Sequence, residues 1–194
     1  NKEKKVAGGI YTESDASGDI HKYCVDLSRV LSSKYGVKFR FNEKVKDING
    51  TSLPIISTDK EDIPFDKVVI CAGVKTQEFR NKFRDNFRIY PVKGYSITID
   101  LDDEISKSAA PHVSIKDDHN KIVSSRLGNR LRVAGTAELA GENKEVREER
   151  ITPLIEWVNN CFPEVNTENI ITWAGLRPMT SDMVPIMRES KRKN

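Results

Sequence analysis

YPVKGYSITIDL, residues 90 to 101, decides how this chain is to be read. Tyr95, Ile97, Ile99 and Leu101 alternate with Ser96, Thr98 and Asp100, the period of a strand with one face buried. What precedes it has a different character. In SGDIHKYCVDLSRVLSSKYG, residues 17 to 36, Ile20, Tyr23, Cys24, Leu27, Val30 and Leu31 recur at helical spacing. Asp19 is placed to cap the start and Gly36 to end the last turn. The stripe predicts a helix buried against residues 66 to 72.

Between these stretches the period is two. Val37, Phe39 and Phe41 alternate with Lys38, Arg40 and Asn42, predicting a half-buried strand. Glu43 to Ile48 continues extended, and Asn49-Gly50 predicts a hairpin into Leu53 to Thr58. In FDKVVICAG, Val68 to Cys71 is a short apolar run closing on small residues. That suits a strand buried on both faces of a parallel sheet, with a ligand or backbone close to its carboxyl end. A charged helix is expected near Thr76 to Phe87.

Beyond residue 101, strands are expected at 112 to 116, 121 to 127 and 130 to 139, with DDHN and LGN as turns. Residues 143 to 161 read as helical, with Val146, Ile151, Leu154, Ile155 and Val158 on one side. Pro153 is expected to start a second helical piece, because proline fits a first turn and not an interior. The fold class is therefore mixed: an α/β piece, then a mostly antiparallel sheet with flanking helices (α+β).

Composition narrows the function classes. The 194 residues carry 32 basic and 29 acidic side chains, a net charge of +3. The basic block is the terminal Arg188 to Lys193, so nucleic acid is disfavoured as the main partner. Cys24, Cys71 and Cys161 are widely spaced, odd in number and outside any CxxC, which fits a reducing cytoplasmic setting better than a disulfide framework or zinc site. No apolar run approaches the roughly 20 residues that span a bilayer. NKEKKVAGG at the start contains no Met and reads like the interior of a longer chain, so a fragment is expected. His21, His112 and His119 stand in unrelated contexts, and neither GxGxxG nor GxxxxGK[ST] is present.

TWAGLRPMTSD, residues 172 to 182, raises a question of charge. Arg177 sits between Ala174-Gly175-Leu176 and Pro178, none of which offers a partner. A guanidinium is charged at any working pH and presents a planar fork of donors, so it needs an anion. Either a protein acid such as Asp182 or Glu138 supplies it, or a ligand does.

Taken in order, GGIYTESDASGDIHKYCVDLSRVL, GVKFRFNEKVKDI, DKVVICAG, YPVKGYSITI, RLRVAGTAEL and TWAGLRPMTSDMVPI resemble the bacterial D-amino acid dehydrogenases, within the D-amino acid oxidase group of FAD-dependent flavoproteins. The resemblance runs from about Gly8 to Ile186, and PVKGYS and GLRPMTSD are its most specific parts. It implies residues 1 to 88 as part of an FAD-binding domain, 89 to 172 as a substrate domain, and 173 to 194 as a return segment. It further implies that Val45 lies at the adenine end of FAD and that Cys71, Ala72 and Gly73 pass its phosphate and ribose. Lys93 and Gly94 would stand beside the isoalloxazine, and Arg177 would pair with the substrate carboxylate. The implied activity is oxidation of D-amino acids to 2-oxo acids and ammonia, with electrons leaving to a quinone or another respiratory acceptor. The whole enzyme would be cytoplasmic or peripheral on the inner membrane face.

The family's opening GxGxxG, which seats the pyrophosphate at a helix N-terminus, has no counterpart here. The chain alone is therefore expected not to retain FAD, and to associate through surface that other segments would cover. Two readings stand beside this one: a glycine, sarcosine or tRNA-modifying flavoprotein oxidase, and a non-catalytic remnant.

Overall fold

The computed structural model describes residues 8–49, 53–80, 82 and 85–190. Its centre is a five-stranded antiparallel sheet in the order β5-β6-β7-β4-β8. The strands are β4 (Tyr90–Asp100), β5 (Ile115–Asp117), β6 (Ile122–Leu127), β7 (Arg130–Glu138) and β8 (Ile170–Met179). The long alternating stretch supplies β4, which pairs with β7 on one side and β8 on the other. One face of the sheet packs on helix α3 (Glu148–Cys161). Tyr95, Ile97, Ile99, Leu131 and Val133 meet Ile151, Leu154, Trp157 and Val158 there, all at 6 % exposure or less. Each such side chain contributes roughly 1.5–3 kcal/mol of transfer energy when fully buried.

Asp117 at the end of β5 ties the far end of α3 to the sheet. It accepts from Trp157 Nε1 at 2.8 Å and from Asn120 N at 2.9 Å. The Asn120 bonds, then the indole, hold its carboxyl well below the usual carboxylate range. A short helix, α2 (Glu104–Ala109), capped by Asp103, was not anticipated from the sequence.

A second, three-stranded sheet runs β1-β2-β3, from Val45–Asn49, Ile55–Thr58 and Asp62–Pro64. The hairpin expected at Asn49-Gly50 exists as the antiparallel β1–β2 pair with Asn49 opposite Ile55. Residues 50–52 of its turn lie outside the described residues.

Five expectations are corrected. Helix α1 (Ile20–Tyr35) forms with the expected ends, Asp19 accepting from Lys22 N and Gly36 left-handed at φ 68°. Its stripe is not buried: Ile20 is 71 %, Tyr23 60 %, Leu27 39 % and Val30 47 % exposed. The reason is the fate of residues 66–72, which form no strand and pair with none, leaving Val69 85 % exposed. A two-faced buried strand needs neighbours on both sides, and none stands beside it among the described residues. Likewise, residues 37–42 make no ladder; Phe39 and Phe41 stack on one another with ring centroids 5.6 Å apart. The helix expected at 76–87 is a 3-10 helix at Gly73–Phe79, and residues 81, 83 and 84 lie outside the description.

Pro153, finally, does not begin a helical piece but lies inside a continuous α3. It sits on the exposed side of the second turn, where water can satisfy the carbonyl that loses its partner.

Candidate functional site

Strand parity sorts β4 into two faces. Lys93, Tyr95, Ile97 and Ile99 look toward α3, and Val92, Gly94, Ser96 and Thr98 look the other way. On β8, Arg177 stands opposite Val92, Gly175 opposite Gly94, and Trp173 opposite Ser96, so these share the face turned from α3.

On that face two glycines sit side by side and two large side chains lie over them. A Cβ at Gly94 would be 2.7 Å from Cζ of Arg177, and one at Gly175 would be 2.5 Å from Cζ2 of Trp173. The missing side chains are what allow the guanidinium and the indole to lie flat on the sheet. Arg132 of β7 reaches over from the other side, its Cζ 5.5 Å from the Trp173 ring centroid. The cation faces the electron-rich ring surface.

Arg177 is exposed and donates from Nη1 to the Thr136 carbonyl at 3.1 Å. Neither Asp182 nor Glu138 pairs with it: Asp182 accepts from Val184 N, and Glu138 is engaged on the other face. Thr136 has φ 66°, the left-handed region, which costs a β-branched residue roughly 1–2 kcal/mol. The cause is a bulge in β7. Lys93 opposes Glu138 and Tyr95 opposes Gly135, so β7 spends three steps where β4 spends two. The kink aims the Thr136 carbonyl at the guanidinium.

Beneath the same bulge, on the α3 face, lies a buried charge cluster. Glu138 accepts from Tyr95 Oη at 2.5 Å and from Arg147 Nη1 at 2.6 Å, with Lys93 Nζ 3.9 Å away. The Tyr95 hydroxyl, then Arg147, hold the Glu138 carboxyl below its ordinary range despite its burial. Lys93 is wholly buried and its Nζ has no hydrogen-bond partner among the described residues.

Of the residues singled out from the sequence, the structure brings together Gly94 and Arg177. Gly73, at φ 57°, closes on the same region, since a Cβ there would lie 4.0 Å from Cγ of Pro178. Cys71 and Ala72 lead into it as exposed, unpaired chain. Lys93 neighbours Gly94 but sends its side chain to the opposite face, toward Glu138. Val45 belongs to the other sheet, 41 % exposed at the start of β1. Trp173, Arg132, Tyr95 and Thr136 carried no site role in the sequence, and Glu138 entered there only as a candidate partner of Arg177. Trp173 was accessible to sequence reasoning, being four residues from Arg177 and hence on the same strand face. Thr136 and Glu138 were not, because they lie within and beyond the bulge, where strand parity changes.

The exposed backbone at 71–73 and the left-handed Gly73 fit a cofactor approaching the chain closely, near the strand that carries Arg177. Among the described residues there is no glycine-rich phosphate loop, no group of side chains suited to a metal, and no helix long and apolar enough to cross a membrane.

This arrangement of sheets is a fold met among solved structures. It superimposes on the iminodiacetate oxidase of Chelativorans sp. BNC1 with a TM-score of 0.72, at 21 % identity, over 86 % of this chain and 44 % of that one. The family model for FAD dependent oxidoreductases matches residues 1–194, and the chain belongs to that family. It is 47 % identical to D-amino acid dehydrogenase 3 of Mesorhizobium japonicum, over 96 % of this chain and 46 % of that protein. It is 36 % identical to D-amino acid dehydrogenase of Paramagnetospirillum magneticum, over 98 % of this chain and 45 % of the relative. The chain thus spans about half the length of the relatives it matches.

Proposed function

We propose that these residues form the substrate-side part of an enzyme that oxidises D-amino acids with FAD. The observation that carries the reading is Arg177: a guanidinium on an open sheet face, held by one main-chain carbonyl and paired with no carboxylate among the described residues. A planar fork takes an amino acid's carboxylate through two parallel charge-assisted bonds and fixes the direction of the Cα–H bond. Gly94 keeps the fork close to the sheet, and the bulge carbonyl of Thr136 fixes its inner nitrogen.

Cys71, Ala72, Gly73 and Gly94 are the positions proposed to lie along the cofactor, with Val45 at its adenine end. Lys93 contributes through its main chain and its buried charge. A bound FAD supplies acceptance of two electrons from the Cα–H bond. The substrate loses two electrons and two protons to become an imino acid, and water then releases ammonia and leaves a 2-oxo acid. No side-chain base is required of this chain when the amine arrives neutral.

Residues 1 to 88, 89 to 172 and 173 to 194 are proposed as FAD-side, substrate-side and return segments. A quinone or other respiratory acceptor, met by a whole enzyme peripheral on the inner membrane face, agrees with relatives named dehydrogenases.

The test is made in the whole enzyme. Losing one partner of a desolvated charge pair costs about 2–5 kcal/mol, so Arg177→Ala should lower kcat/KM for D-amino acids roughly 30- to 4,000-fold. Arg177→Lys should recover part of that, and Tm and flavin content should stay near wild type. Loss of folding in Arg177→Ala, with KM unchanged in the refolded remainder, would make the arginine structural and end the assignment.

A further inference from the structure

The open face carries a second arginine in the same condition as the first. Arg132 faces the Trp173 ring and, like Arg177, is paired with no carboxylate among the described residues. By contrast, Arg130, its neighbour on β7 two residues earlier, is bonded to Asp19 at 2.8 Å. The two free guanidiniums flank one indole: Arg177 over Gly94, the indole over Gly175, Arg132 against the indole. On the same face Ser96, in register with Trp173, is 1 % exposed and its Oγ has no hydrogen-bond partner among the described residues. A buried hydroxyl without a partner, on the strand face that carries two arginines lacking carboxylate partners, suits a polar ligand group.

Paired glycines stand about 5 Å apart across a ladder. The Arg132 guanidinium stands 5.5 Å from the indole centroid and that of Arg177 lies over Gly94, so an aromatic surface lies between the two cations. A four- or five-carbon dicarboxylate bridges two such cations when each end accepts a charge-assisted bond, and its methylene chain lies on the indole. We infer that Arg132, Trp173 and Ser96 form a second anion subsite beside Arg177, which selects D-amino acids bearing a side-chain carboxylate. The inference rests on Arg177 holding the α-carboxylate.

The experiment uses the whole FAD-loaded enzyme with two readouts. Calorimetric titration compares glutarate, an unreactive five-carbon dicarboxylate, with butyrate, which has one carboxylate. Steady-state kinetics compare D-glutamate with D-alanine. Glutarate should bind at least about 10-fold more tightly than butyrate, the scale of one added ionic contact. Arg132→Gln should abolish that difference and lower the D-glutamate to D-alanine ratio of kcat/KM at least about 10-fold. Arg132→Lys should restore part of both, which a purely structural arginine would not require. Equal binding of glutarate and butyrate, or a ratio unmoved by Arg132→Gln, overturns the subsite. A glutarate preference without turnover of any D-amino acid would keep the subsite and remove the oxidase reading. Turnover of D-alanine without a glutarate preference would do the reverse.

Discussion

A methyl group at Gly94 would lie 2.6 Å from Nη2 of Arg177, the free end of a flexible side chain. Gly94→Ala should therefore fold with a stability change of about 1 kcal/mol or less, while lifting the guanidinium off the sheet. In the whole enzyme, that displacement is expected to lower kcat/KM for D-amino acids roughly 10- to 100-fold, read by steady-state kinetics beside a thermal melt. Gly175 differs, because its neighbour is the rigid indole of Trp173. Gly175→Ala should push that ring aside and change the fluorescence of Trp173, which a Trp157→Phe background isolates. Residues like these were half legible: GLRP raised the right question about Arg177, but its answer depends on Gly94, some eighty positions away. No local pattern pairs the two.

For helix α3, the interior proline gives the sharpest expectation. Pro153 is exposed and removes one intrahelical bond, so Pro153→Ala should raise stability by about 1–2 kcal/mol in denaturant unfolding. Leu154, the next residue, is 1 % exposed against the sheet, and Leu154→Ala should lower it by about 2–5 kcal/mol. Elements of this kind were readable because their partners lie within the chain: the alternation in β4 and the stripe of α3 cover each other. The α1 stripe was equally clear as a period and misleading as a burial. Periodicity reports a face that is fitted to be covered, without saying by what. VVICAG failed for the same reason, since strand character needs a neighbouring strand to realise it.

Across the whole molecule, carboxyls hydrogen-bonded within the fold shape the acid limit, Asp117 and Glu138 among them. Asp117 and Glu138 both titrate below their ordinary values in the folded state. Their contribution is complete above the unfolded carboxylate pKa of about 4 and is lost as pH falls through the lower folded values. Urea midpoints should hold between pH 5 and 7 and drop steeply below about pH 4, and Glu138→Gln should flatten that drop. The exposed stripe of α1 gives a second expectation: the 194-residue chain associates as its concentration rises, and Tyr23→Glu with Leu27→Glu suppresses this in sedimentation. The three-against-two step between Gly135 and Glu138 reaches further still. Facing on a strand is a matter of odd and even, and the bulge is the one place in β7 where the count changes. Were the three steps from Gly135 to Glu138 regular strand with no bulge, Glu138 would fall on the other side of the sheet. There its carboxylate would stand among the free guanidiniums and neutralise them from within. The bulge thus keeps that carboxylate beside Lys93 and away from the arginines of the opposite face.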